Sequence, residues 1–436
     1  MIEGLQSFQN IFKVPELKRR VIMTLALLAA YRLGAHVPTP GIDAAALAEF
    51  FNQVQGTLLG MVDLFSGGNL RRLTVFALGI MPYISASIIL QLLTVVIPTL
   101  ERLAKEGEAG KKKITQYTRY GTIGLSLVQS FGIAVGLESM RSQTGAILVP
   151  EPGWGFRLLT MLTLTTGTAL IMWLGEQISE KGIGNGISLI IFAGIVVRLP
   201  SAIVSSYTLI ATGELKLFVF LGLIIMMVAV TAAVVVMQEG QRKIPVQYAK
   251  RVVGRRMYGG QSTHIPLRIN TAGVIPVIFA SSLILFPATM TRFIHHPWMQ
   301  YISEALSPGH FTYTVLYCAL IIFFAYFYTA IVFNPVDLAD NMKKYGGFIP
   351  GVRPGKKTAE YIDRTLTRIT LPGAMFLALI SVLPDFLIQW FNTPFYFGGT
   401  SLLIVVGVAL DTVRQMESHL LMRNYEGFLR KKAKGA

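Results

Sequence analysis

Hydrophobic residues in this chain are grouped into runs of about twenty, separated by shorter polar stretches, and an α-helix of that length crosses the hydrocarbon core of a bilayer. The pattern predicts ten membrane-spanning helices and therefore an all-α polytopic membrane protein. They cover residues 21–40, 73–97, 117–137, 157–178, 187–206, 216–238, 269–290, 312–334, 370–390 and 400–420.

The composition changes this picture little but excludes several classes of protein. The 436 residues are 53% hydrophobic and 14% charged, whereas soluble domains are about 25% charged. An ordinary soluble enzyme is therefore excluded. The single cysteine, Cys318, lies in an apolar run, so the chain forms no internal disulfide and a thiolate metal cluster is not expected. We expect neither a metal nor a cofactor.

A search for enzyme motifs finds one weak match, at Gly351–Lys356. It resembles a phosphate-binding loop but has one residue too few between its glycines. We also expect neither the preceding strand nor the following helix that such a loop needs. The sequence thus predicts that the chain is not an enzyme.

Lys and Arg number 39 against 23 Asp and Glu, and they are unevenly distributed. Because cytoplasmic segments of membrane proteins are enriched in Lys and Arg, the distribution predicts that both termini and four loops face the cytoplasm. Of the 39 basic residues, 31 lie in segments 1–20, 98–119, 179–186, 239–268, 335–369 and 411–436. Topology explains the sign of the charge, but not why two long loops carry seven basic residues each.

One apolar segment, at about 57–68, is too short to cross a bilayer and contains Gly60 and Asp63. It either lies on the outer membrane surface or re-enters the protein, and the residues alone leave both alternatives open. Five spans in each half of the chain would give the halves opposite orientations if they share a fold, as in the inverted repeats of transporters.

The two long basic loops have turn chemistry that suits docking. Residues 239–268 predict an extended hairpin, and residues 335–369 contain a Gly/Pro-defined turn with Arg353 at its apex. A solvated charged loop is one interpretation; an arm that binds a large anionic partner, either acidic protein or RNA phosphate, is the other. The candidate docking residues of the hairpin are Arg242, Lys243, Lys250, Arg251, Arg255 and Arg256.

The second, third, seventh and eighth predicted spans have no ionisable group near their centres. The spans do contain uncharged polar residues, among them Ser85, Gln129 and Asn270. An ion-coupled transporter needs such ionisable groups near the bilayer midplane, so this alternative is weakened but stays open. Hydrogen bonding between helices explains any single polar residue, whereas a cluster would form a polar seam able to separate. A scaffold without a pore is a third alternative.

Two isoleucine pairs have i,i+4 spacing, Ile80 with Ile84 and Ile187 with Ile191. Each pair presents two branched side chains on one helical face. A ring of such side chains would make a dry constriction that blocks ions. Isoleucine is common in every span, so ordinary packing is the competing interpretation.

Several motifs, spread in order over nearly the whole chain, resemble those of the SecY family, which forms the channel of the bacterial Sec complex. These motifs are Phe65–Gly68, Phe76–Ser87, Gln116–Gly121, Gly182–Ile187, Asn270–Pro276, Lys344–Gly355 and Gly399–Ile404.

The resemblance implies ten transmembrane helices in two inverted five-helix halves around an hourglass pore, with a short re-entrant plug helix and long cytoplasmic loops. The expected organisation is a cytoplasmic segment 1–20, an N-terminal half 21–206 with the plug at about 57–68, a C-terminal half 207–420 with arms at about 239–268 and 335–369, and a basic tail 421–436.

The resemblance also implies a function in the bacterial inner membrane. The chain would pass unfolded polypeptides across the membrane and release transmembrane segments sideways into lipid. The implied partners are SecE, SecG, the SecA ATPase or the ribosome, signal sequences of preproteins, and membrane lipids.

By motif position, Ser85, Gln129 and Asn270 would form the polar cluster of a lateral gate, and the basic arms with Arg353 would dock SecA or the ribosome. No role is assigned to Asp63. The implied pore ring is Ile80, Ile84, Ile187, Ile191, Ile278 and Ile404.

Overall fold

The structure, a computed structural model, describes residues 14–53, 63, 66–139, 147–213, 217–248, 251–253, 256–258, 262–290, 305–306, 310–391 and 399–434. These residues are mostly helical, and the chain divides into two compact units. The first comprises Met1–Glu214, Ser282–His310 and Val408–Ala436, and the second comprises Leu215–Ser281 and Phe311–Gly407.

The first unit is built from helices, four of which have Pro in the first turn, where its missing N–H costs nothing. The helices are α1 (Pro15–Gly34), α2 (Ala44–Gln53), α3 (Met81–Val96), α4 (Pro98–Lys105), α5 (Glu108–Ser139), α6 (Trp154–Lys181), α7 (Gly186–Val196) and α8 (Leu199–Ala211).

The second unit combines helices with a small sheet. Its helices, two of which continue into the first unit by sequence, are α9 (Leu217–Glu239), α10 (Ile275–Met290), α11 (Phe311–Val332), α12 (Pro335–Lys344), α13 (Lys356–Phe391) and α14 (Gly399–Lys434). Its strands are β1 (Gln241–Tyr248), β2 (Arg251–Val253), β3 (Arg256–Tyr258), β4 (Ser262–Arg268) and β5 (Gly347–Phe348). They form a three-stranded sheet in the order β4-β1-β5 and a separate β2-β3 ladder.

Every predicted span falls mainly on helix, and the span 187–206 covers both α7 and α8, which confirms the helical membrane fold. Within the described ranges, six helices are long and apolar enough to cross a membrane, or seven if α3 and α4, which meet at a bend of 100°, count as one span. The count of ten therefore stays a prediction. Residues 73–80 were predicted to be helical and are not, because the backbone at Leu73 and Gly79 has positive φ values of 37° and 57°.

Each unit has its own apolar core. In the first, buried residues of α2, α5 and α6 pack against the chain that precedes α3; Leu47, Ala77, Ala134, Leu148 and Leu164 are each at most 1% exposed. In the second, the sheet packs on α12 and α13 through Ile244, Val246, Leu267, Met342, Ile349 and Ile362.

Candidate functional site

Helix α3 begins directly after Ile80, the first residue of the predicted ring. Pro82 occupies the first turn, so the helix begins at Met81. Ile84 donates its backbone N–H to the Ile80 carbonyl over 3.1 Å, which starts the helical pattern. The side chains of Ile80 and Ile84 are 2% and 5% exposed. Two of the predicted ring residues thus lie buried at the start of α3.

Helix α7 carries the second isoleucine pair. Asn185 caps this helix, because its Oδ1 accepts the backbone N–H of Ile187 at 3.1 Å and of Ser188 at 3.3 Å. Ile191 is 2% exposed, while Ile187 is partly exposed. Ile187 lies beside α6, where a Cβ added at Gly175 would be 3.3 Å from its Cγ1. The cap fixes where α7 begins and therefore the side of the helix on which the pair lies.

The last two predicted ring residues belong to the second unit. Ile278 lies in the first turn of α10, and its carbonyl accepts the Ser281 hydroxyl at 2.9 Å. Ile404 lies in the first two turns of α14. Their side chains are 5% and 0% exposed, respectively.

The three residues predicted for a lateral gate have different surroundings. Ser85 on α3 and Gln129 on α5 are partly buried within the first unit. Asn270 lies just before α10 in the second unit, and its Nδ2 donates to the Gly273 carbonyl over 2.9 Å. Part of the hydrogen-bonding capacity of Asn270 is therefore used inside its own turn.

The two basic loops of the second unit are joined by backbone pairing. Strands β1 and β4 pair antiparallel from Gln241↔Arg268 to Gln247↔Ser262, which confirms the predicted hairpin. On its other edge β1 pairs antiparallel with β5, where Tyr248 lies opposite Gly347. The sequence did not indicate this third strand, which makes the two arms one folded surface.

The basic residues of the hairpin are distributed along it. Arg242 and Lys243 are exposed on β1. Arg251 and Arg256 lie at the start of β2 and β3. The predicted docking residues Lys250 and Arg255 lie outside the described residues.

Arg353 is exposed in a turn stabilised by its neighbours. Gly351 and Gly355 flank it at φ values of 81° and 98°, which favour glycine. The Arg353 carbonyl accepts the Thr358 hydroxyl at 2.9 Å. The expectation that neither a strand precedes nor a helix follows this glycine segment was wrong, since β5 precedes it and α13 begins at Lys356. The missing residue between the glycines still separates it from a phosphate-binding loop.

Most of the predicted plug lies outside the described residues, but its end, at Asp63 and from Ser66 onward, is described. Asp63 is buried, and its carboxylate pairs with the guanidinium of Arg198. Arg198 lies between α7 and α8. Its Nη2 also donates to the Asp63 carbonyl over 3.1 Å, and the Arg71 backbone N–H donates to Asp63 Oδ1 over 2.9 Å.

The same segment passes very close to two helices. A Cβ added to Gly67, which has a φ of 72°, would lie 2.8 Å from the Cα of Gly194 on α7. Tyr31 of α1 donates its hydroxyl to the Ser66 carbonyl over 3.5 Å and accepts from Asn69 Nδ2 over 3.2 Å. The described end of the predicted plug is thus held between α1 and α7.

Two further ion pairs join neighbouring helices of the first unit. Arg119 of α5 makes a bidentate contact with Glu176 of α6, with both N···O distances 2.8 Å. At the other end of these helices, Glu138 accepts from Arg157 Nη2 at 2.6 Å and from the Gly153 backbone N–H at 2.9 Å. These pairs fix α5 against α6.

Sequence reasoning missed the pairing of Asp63 with Arg198. Both residues are isolated charges in apolar stretches, and charged groups at membrane depth usually pair with each other. This was the available signal. Their separation of 135 residues left the choice of partner open.

A sequence model of the SecY family matches residues 74–413 of the chain. The protein translocase subunit SecY of Escherichia coli strain K12 is 53% identical over 420 residues, which cover 95% of this chain and 94% of that protein.

Two solved structures share the fold. One concerns a SecY protein whose plug domain is described as stabilising the closed state of its translocation channel; it has a TM-score of 0.67 and 19% identity, and the match covers 94% of this chain and 96% of that one. The other is Sec61 in the canine ribosome-channel complex from the endoplasmic reticulum, with a TM-score of 0.62, 17% identity and the same coverage. At these identities the likeness concerns the fold alone.

Proposed function

This chain belongs to the SecY family, and from that membership we propose how its own residues carry the family's function. The chain is the channel subunit of a protein translocase and not an enzyme. The observation that carries this conclusion is the 53% identity to a translocase subunit over 95% of the chain. The alternative of an ion-coupled transporter is not supported by any of these relatives.

The proposed substrate is an unfolded polypeptide led by a signal sequence. Such a chain presents every type of side chain, so fixed charges in the wall would trap some of them. Branched aliphatic side chains make weak, non-directional contacts and can close again behind the substrate. Because the sequence holds no hydrolysis motif, the driving energy comes from the SecA ATPase, from the ribosome or from the membrane potential.

We propose that the six isoleucines, Ile80, Ile84, Ile187, Ile191, Ile278 and Ile404, form the ring that closes the pore at rest. The support is their identical, uncharged chemistry and the burial of five of them. The segment at about 57–68 is proposed as the plug on the outer side of this ring.

Sideways release of transmembrane segments needs a seam that opens towards lipid. Ser85, Gln129 and Asn270 are the proposed polar cluster of this lateral gate. A hydrogen bond between transmembrane helices contributes only about 1 kcal/mol, so a seam held by a few such bonds can open and close.

The proposed docking surface for SecA or the ribosome is the folded pair of arms in the second unit. On this surface Arg242, Lys243 and Arg353 are exposed. The remaining basic residues of the hairpin also belong to it: Lys250, Arg251, Arg255 and Arg256. Positive charge on rigid strands suits an acidic protein or RNA phosphate. A protein of the same fold, Sec61, is described in a complex with the ribosome, which supports the ribosome as the kind of partner proposed.

The protein spans the membrane several times, and we propose the bacterial inner membrane with both termini in the cytoplasm. The support is the segregation of 31 of 39 basic residues into the segments named above. SecE and SecG are proposed to complete the channel, and the N-terminal half 21–206 and C-terminal half 207–420 to form the two sides of the pore.

The ring is tested by replacing Ile84 and Ile191 with glycine and measuring ion conductance in planar bilayers. The double variant is expected to conduct more at rest, because two dry side chains are lost from the constriction. Ile89→Gly is the matched control, since Ile89 lies on the same helix α3 but is 46% exposed. Conductance equal to that of the control would contradict the ring.

A further inference from the structure

Asp63 is the single charge in the apolar segment 57–68, and the proposed function gives it no task. Its side chain is 7% exposed. An ionised carboxylate in such a place is strongly unfavourable unless a partner and hydrogen bonds compensate its lost hydration. The buried carboxylate of Asp63 therefore needs stabilising contacts, and the surrounding residues supply them.

The hydrogen bonds of Asp63 fall into two kinds. Its carbonyl accepts the Gly68 backbone N–H at 2.9 Å and the Ser66 hydroxyl at 3.0 Å, and Oδ1 accepts the Arg71 N–H at 2.9 Å. These bonds are local, since all three donors lie within eight residues of Asp63 in the chain. The guanidinium of Arg198, which contacts both the carboxylate and the carbonyl, comes from outside the segment.

Arg198 stands at the junction of α7 and α8 for a structural reason. Pro200 lies in the first turn of α8, lacks an N–H, and so interrupts the helical hydrogen bonds between the two helices. Arg198 therefore projects from a fixed break one turn beyond Gly194, the residue that Gly67 approaches most closely. The glycine contact attaches the segment to α7, which carries Ile187 and Ile191, and the ion pair attaches it just beyond the end of that helix.

We propose that the Asp63–Arg198 ion pair is a latch that holds the end of the plug on α7 in the closed channel. Arg198 is then a positioning residue for gating. This inference rests on the proposed function, because a latch matters only if the segment closes a pore.

An ion pair suits a contact that must be released. The Arg198 side chain is 31% exposed, so the chain does not fully enclose the pair. When the plug leaves, both charges regain hydration, which offsets much of the lost attraction. A purely apolar contact of the same area would instead expose its surface to water at each opening.

The test uses the full chain in vesicles with two readouts: hydrogen exchange of the amides of residues 66–74, and resting ion flux. Arg198→Gln and Asp63→Asn are each expected to raise both rates roughly tenfold, because a partly buried pair is lost. The double variant should be no worse than either single variant, since the two residues act as one pair.

Two further variants separate the latch from a general structural role. A single nitrogen of Arg198, Nη2, makes both contacts to Asp63, so a point charge can replace the guanidinium. Arg198→Lys keeps the charge and is therefore expected to restore flux to within about threefold of the unsubstituted protein. Arg72→Gln removes the same charge from an exposed neighbour and should change neither readout. Additive effects in the double variant, or no rescue by lysine, would overturn the latch.

The glycine substitutions at Ile84 and Ile191 serve as a leak standard in the same vesicles. If the glycine variants leak while Arg198→Gln does not, the latch proposal is contradicted and the pore proposal is supported. If neither variant leaks, both the proposed pore and the gating role of Arg198 are contradicted.

Discussion

The close approach of Gly67 to Gly194 allows a quantitative prediction for the substitution Gly67→Ala. Two costs add. The φ of 72° is unfavourable for any residue with a Cβ, by about 1–2 kcal/mol. The new Cβ would also lie 2.8 Å from the Gly194 Cα, well inside the roughly 3.5–4.0 Å of an optimal carbon contact.

Forcing an extra methyl into a packed site costs about 1–3 kcal/mol. The backbone of α7 cannot easily yield, because α7 is a helix capped by Asn185. The steric cost disappears if the end of the plug segment lifts off α7, and the backbone cost disappears once residue 67 is free to leave its positive φ. Even if the surrounding structure partly relaxes, Gly67→Ala should favour the detached state of this segment by about 2 kcal/mol relative to the unsubstituted protein. This corresponds to a roughly thirty-fold larger population of the detached state.

Hydrogen exchange of the amides of residues 66–74 measures this opening directly and does not depend on whether a pore exists. We expect exchange about thirty-fold faster in Gly67→Ala. Gly107→Ala is the matched control, because Gly107 has a φ of 74° and a Cβ there would meet no described atom within 4 Å. It carries similar backbone strain in another loop and should leave these amides unchanged. Equal exchange in the two variants would refute the reasoning.

Two other predictions concern separate parts of the chain. Glu138→Gln removes the charge that accepts hydrogen bonds from Arg157 and Gly153, and it should lower the free energy of unfolding of the purified protein by about 1–3 kcal/mol. The control is Glu360→Gln, in an exposed pair with Lys357, which should leave the unfolding temperature unchanged. An equal loss of stability in both variants would contradict the argument. Arg353→Glu should lower SecA-driven export into vesicles about tenfold without affecting assembly. The control is Lys112→Glu, the same charge change in the first turns of α5. Export equal to that of the control would remove Arg353 from the docking surface.

The helices and the hairpin could be predicted from the sequence because their causes are local. An apolar run of about twenty residues satisfies its backbone in lipid only as a helix, whatever else the chain does. The capping of α7 by Asn185 is equally local. The beginning of α3 was placed eight residues too early, at 73, because hydropathy does not register the positive φ values of Leu73 and Gly79.

Only the tertiary structure decided which residues far apart in the chain contact each other. Nothing in residues 335–369 indicates that Gly347 and Phe348 add a strand to β1, because a two-residue strand has no periodicity of its own. Asp63 and Arg198 could each be recognised as an isolated charge. Which opposite charge neutralises a buried one depends on the distance between them after folding, and that distance is set by packing such as the glycine contact between Gly67 and Gly194.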